Sequence, residues 1–238
     1  MAVDDAATPP GTEKAVRSRR RVFSEIAIAY GLILLVIWAP RPVQRWLWWV
    51  AAAAVVILTI VSWDGLEAMG LRRKNFFRSL WITGAALVVA VIAALIAAHF
   101  HTLRLRGGLT WVVENFWLYA VWSGVQQFLL QCFFLLRILR LIPDKRLAAL
   151  TAAGLFALAH LPNPILVSAT IVWGIVACLV FLRYRNLYPL ALAHAILGIM
   201  IAVTIPGTVD HNMRVGRGYL MYNPHRVYEH SHWKHGAR

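Results

Sequence analysis

The chain has 238 residues, 60% of them hydrophobic and 14% charged, with a mean hydropathy of +0.63 and a formal net charge of +14. These figures exclude an ordinary soluble domain and point to a multi-span membrane protein. The charge does not imply nucleic acid either, because the 24 Lys and Arg fall mainly in short loops between apolar runs rather than in one patch.

Residues 1–21 are polar and contain Pro and Arg, and are expected to be an unstructured, basic, cytoplasmic segment. The first apolar run, 22–39, has no clear small-residue cleavage site after it and reads as an uncleaved signal anchor that stops at Pro40 and Pro42. A second span, 46–63, opens with Trp46, Trp48 and Trp49 and closes on Trp63, indoles suited to the two membrane interfaces. A charged loop, 64–78, leads to spans over 79–100 and 111–136. The run 147–161 is short for a full crossing. LPNP at 161–164 is a turn, since neither Pro162 nor Pro164 can continue a helix. Spans over 165–183 and 187–205 follow, the last ending at Pro206 and Gly207. This gives a single transmembrane domain, 22–205, of about seven helices in an all-α bundle, and a basic, His-containing tail over 206–238. Cys132 and Cys178 lie within spans and offer no disulfide framework.

Basic residues set the expected orientation. Arg17, Arg19, Arg20 and Arg21 precede the first span, Arg72, Arg73 and Lys74 lie in the loop 64–78, and Arg137, Arg140, Lys145 and Arg146 follow the fourth span. The loops on the other side hold only Arg41, Arg45, Arg104 and Arg106, so the N-terminus is expected inside. The tail adds more basic residues outside, against that bias.

The chemistry concentrates in residues 121–137, VWSGVQQFLLQCFFLLR. Gln126, Gln127 and Gln131 sit in the middle of this apolar span, and Asn115, Tyr119, Ser123, Gln127 and Gln131 recur every four residues as a stripe on one helix face. Polar groups at bilayer depth are costly to desolvate and face partners or a wet cavity. Two later helices each carry one apolar-flanked histidine, His160 and His194. At about 1.5 Å rise per residue, Gln126, His160 and His194 all fall near mid-membrane. One reading makes them interhelical glue; the other makes them a site.

Those residues carry a resemblance. FALAH (Phe156 to His160) and AHAILG (Ala193 to Gly198), following the glutamine span, resemble the CPBP family of CAAX proteases and bacteriocin-processing intramembrane proteases, also called Abi proteins. That family shows EExxxR on one span, FxxxH on the next and HxxxN two spans later, and the order and spacing fit residues 115–200. Phe156, His160 and His194 match. Gln126 and Gln127 stand at the paired glutamates, Gln131 at the arginine and Gly198 at the asparagine.

The resemblance implies a helical intramembrane endopeptidase acting on a membrane-attached peptide or protein, with Gln126, Gln127, His160 and His194 at the catalytic positions and Gln131, Phe156 and Gly198 at binding positions. An amide cannot accept a proton as a carboxylate does, so the expected general base is missing. With the carboxylates gone, a buried arginine beside them would be an unpaired charge, which accounts for its replacement. A histidine could still serve as base. The alternative is a non-catalytic homologue, a pseudoenzyme whose polar cavity binds a peptide, lipid or partner; a small transporter ranks below both for want of an inverted repeat. Two histidines with amide carbonyls make a poor zinc set, so zinc is a minor expectation. His225, His230, His232 and His235 of the tail read as solvated rather than metal-binding. The expected setting is the bilayer of a bacterial inner membrane, with no nucleic-acid partner.

Overall fold

The computed structural model describes residues 10–105 and 108–223, which are helical throughout apart from turns and short links. In chain order the helices are α1 (Pro10–Trp38), α2 (Arg41–Val61), α3 (Phe76–Ser79), α4 (Trp81–His99) and α5 (Gly108–Gln127). α5 runs into a π-helical segment, Phe128–Leu135, which passes directly into α6 (Leu136–Leu141). α7 (Lys145–Leu158), α8 (Pro164–Tyr184) and α9 (Tyr188–Thr204) complete the bundle, and α10 (Gly207–Asp210), a 3-10 turn at His211–Met213 and α11 (Gly216–Leu220) close it.

The polytopic helical bundle expected from hydropathy is what the chain forms. Among the described residues, five helices are long and apolar enough to cross a membrane, or six if α9 and Gly207–Met213, bent by 111°, form one broken span. That is fewer than the seven runs counted in the sequence. α7 has only 14 residues, about 21 Å of helix against a hydrocarbon core of about 30 Å. Residues 10–21, expected to lack structure, are the opening turns of α1. The supposed tail folds back from residue 207, and Gly216 seats its backbone against Ile37 at the end of α1, where a Cβ would collide. His225, His230, His232 and His235 lie outside the described residues.

Local chemistry explains the breaks. Pro40 is extended and a second proline sits in the first turn of α2, where its missing N–H is no loss. The Asp144 carboxylate caps α7 by accepting from the Leu147 N–H (2.7 Å), and the Asn163 side chain caps α8 by accepting from the Leu166 N–H (3.2 Å), with Pro164 in the first turn. α7 packs on α8 through small residues. Ala148, Ala149, Ala152 and Ala153 are buried, and a Cβ on Gly174 would stand 3.0 Å from that of Ala153, the close approach that small residues permit between spans. α9 is gripped by α4 and α5, and α1 pairs with α2.

The loop before α3 is pinned rather than free. Gly70, at φ +68°, accepts from the Leu187 N–H (3.0 Å), and the Asn186 amide donates to the carbonyls of Arg72 and Lys74. Lys74 and Arg72 pair with Glu67, and the Lys74 hydrogen bond holds that carboxyl below its ordinary range. Arg137, read from the sequence as marking the inner face, is instead buried and paired with Glu25 of α1.

Candidate functional site

The polar centre lies where the end of α5 meets α9 and the turn between α7 and α8. Gln127 is the last residue of α5 before the chain relaxes into π winding, in which each N–H reaches a carbonyl one residue further back and a turn holds more residues. The Gln127 and Gln131 side chains therefore follow one another along the helix. The Gln131 Nε2 donates to Gln127 Oε1 (3.4 Å), and Gln127 Nε2 stands 3.0 Å from His194 Nδ1. Both glutamines are fully buried. The chain of amides has one direction. With its oxygen taken by Gln131, Gln127 presents an N–H to His194, so Nδ1 accepts and Nε2 carries the imidazole proton.

His160 is held the other way. Its Nδ1 lies 2.7 Å from the Phe156 carbonyl one turn back, and a carbonyl only accepts, so Nδ1 carries the proton and Nε2 keeps a lone pair. The Phe156 ring meets both imidazoles edge-on, with centroids 4.8 Å from His160 and 5.9 Å from His194. Trp173 of α8 lies against His194 on another side, at 6.1 Å.

These groups face a cavity of about 1870 Å³ lined by Tyr119, Gln126, Phe156, His160, His194 and Gly198 among many apolar side chains. Every expected site residue is therefore accounted for, in two groups. Gln126, Phe156, His160, His194 and Gly198 line the cavity; Gln127 and Gln131 are a buried relay behind His194. Among the described residues no Asp, Glu or Cys side chain lines the cavity wall. Cys132 and Cys178 are free and buried in the core, the Cys132 Sγ 3.0 Å from the Met69 carbonyl.

Sequence reasoning missed two features of this region. Tyr119 extends over Gly198, so that a Cβ built there would overlap the phenol hydroxyl and ring. An asparagine at that position cannot be accommodated without moving Tyr119. Glu25, a buried acid of α1, also escaped attention; a carboxylate in the middle of an apolar run, with a basic residue ending another, was the available signal. A metal centre finds no donor set here. No group of three or more His, Cys, Asp or Glu side chains converges among the described residues, and two imidazoles beside glutamine amides do not make the set that zinc takes.

The apolar helical bundle, with its two histidines around an internal cavity, is that of an integral membrane protein. Residues 126–200 match the family model described as type II CAAX prenyl endopeptidase Rce1-like, within the CPBP group. That stretch runs from Gln126 past Gly198 and so contains the polar centre. No curated protein and no solved structure matches the chain.

Proposed function

We propose that this chain is a CPBP-type homologue that receives a membrane-attached peptide in its intramembrane cavity and holds it without efficient hydrolysis. The observation that carries this reading is the cavity wall. It keeps two histidines of opposite tautomer, while the cavity-facing position at the end of α5 is Gln126 and, among the described residues, no carboxylate lines it. His194 Nε2–H is a donor for a peptide carbonyl, and a cavity removed from bulk water strengthens that bond. Without a carboxylate to take the proton from water, the hydrolytic step lacks the factor of about 10²–10⁴ that such a general base supplies.

One specific observation favours a second reading, hydrolysis with His160 as base. Its Nδ1–H is fixed on the Phe156 carbonyl, which leaves the Nε2 lone pair available to a water.

The experiment is a comparison of wild type, Gln126→Glu and His160→Ala, reconstituted with a model membrane peptide and followed for both photo-crosslinking and cleavage. Capture without cleavage by wild type, with cleavage gained in Gln126→Glu, supports the binding reading. Robust wild-type cleavage abolished by His160→Ala supports the second. Absence of both capture and cleavage in every variant overturns both.

A further inference from the structure

Gly198 stands one helical turn after His194 on α9, so the two positions share a face and their Cβ sites lie about 5–6 Å apart. The Cβ site at 198 is not open space. It is filled by the Tyr119 phenol, whose hydroxyl is the atom nearest to it, and Tyr119, Gly198 and His194 all line the same cavity. The phenol hydroxyl thus occupies a place one turn from His194 and on its face. The phenol hydroxyl and the His194 imidazole thus border the same cavity at neighbouring levels along α9. Tyr119 arrives there because it belongs to the four-residue stripe of α5. Ser123, the next member, is buried with its hydroxyl donating to the Tyr119 carbonyl (2.9 Å), and Gln127 follows at His194. The stripe thus delivers a phenol and an amide to α9 one and two turns apart.

We infer that Tyr119 is a ligand-binding residue, its hydroxyl donating the second hydrogen bond to the peptide carbonyl that His194 Nε2–H engages. Two donors converging on one carbonyl oxygen is the arrangement that holds such a group in a dry site. Gly198 is then the permissive partner, since any side chain there would displace the phenol. The inference deepens the peptide-binding reading and rests on it.

The test uses the full chain in phosphatidylcholine nanodiscs. The probe is a synthetic leucine–alanine peptide of about twenty residues, long enough to span, carrying a benzophenone side chain. Tyr119→Phe removes the hydroxyl and keeps the packing, so apparent affinity for the peptide should fall about tenfold, the worth of one hydrogen bond in a dry site, with the melting temperature unchanged. Gly198→Asn alone should weaken capture, because the phenol must leave. Tyr119→Ala combined with Gly198→Asn should recover most of it, an amide now supplying the donor. Capture by Tyr119→Phe equal to wild type would overturn the inference and leave Tyr119 as packing, with the peptide-binding reading intact. No capture by wild type would overturn that reading and this inference together.

Discussion

The Arg137 guanidinium lies 2.9 Å from the Glu25 carboxylate, and the two side chains are only 1% and 6% exposed. Arg137 also donates to the Leu58 and Phe133 carbonyls and lies over the Phe133 ring, while Glu25 accepts from Ser62 and Arg21. The pair thus ties α1 and α2 to the helix that carries the glutamines. Removing one member of a buried pair strands the other and costs about 3–5 kcal/mol, whereas replacing both with apolar residues is often far milder. Glu25→Leu should therefore lower the melting temperature more than Glu25→Leu with Arg137→Met. Melting can be followed by a thiol-reactive dye, since Cys132 and Cys178 are buried in the folded chain. Equal losses in the single and double variants would show that the pair is not the source of stability.

The glutamines should separate by role. Gln127→Leu leaves the Gln131 amide and His194 Nδ1 without their partners in a dry core, an effect of about 1–3 kcal/mol. Gln126 lines the cavity and is only half-buried, so Gln126→Leu should change the stability by no more than about 0.5 kcal/mol. Indistinguishable melting curves for the two variants would contradict the buried relay.

Gly70 offers a backbone test. A Cβ there would sit 2.8 Å from the Phe181 ring and 3.0 Å from the Arg185 backbone, at a positive φ that L residues rarely adopt. Gly70→Ala should destabilise by about 1–3 kcal/mol and loosen the contact with Leu187, seen as faster proteolysis in the loop 64–75. Ala tolerated at full stability would mean that the loop does not depend on this approach.

Orientation is open to direct measurement. The distribution of Lys and Arg predicts a cytoplasmic N-terminus, and on that prediction a reporter fused after Arg21 and another inserted at Asp144 should both report cytoplasmic. A C-terminal reporter outside would mean that α7 and α9 both cross or that neither does; a cytoplasmic one would mean that just one of them, α7 or the bent α9 segment, re-enters on the side it left.

Much of this was legible in the sequence, and the parts that were not have physical reasons. Apolar run length located the helices, and prolines located their breaks at Pro40, Pro162 and Pro206. His160, His194 and Gln126 stood out because polar groups in apolar helices need a cavity or a partner. Pairings across the bundle were not legible. Glu25 and Arg137 lie on different helices, so nothing local joins them, and Arg137 looked like an ordinary interfacial residue. The overlap of Tyr119 with Gly198 depends on how α5 rolls against α9, which spacing does not determine. The return of residues 207–220 onto α1 was hidden by their polarity, which suits a loop as well as a cap. Nor does composition announce π winding, since Phe128–Leu135 is as apolar as its flanks.

That winding bears on how the helix would absorb a change in length. Deleting one residue from α4 would rotate everything beyond it by about 100° and carry a whole face out of contact. Phe128–Leu135 already holds surplus residues relative to an α-helix of the same rise. A one-residue deletion there could be absorbed by tightening the coil, with Gln127 still facing His194 and Arg137 still facing Glu25. The segment is therefore the place in this bundle where insertions and deletions among relatives are expected to accumulate without disturbing either end.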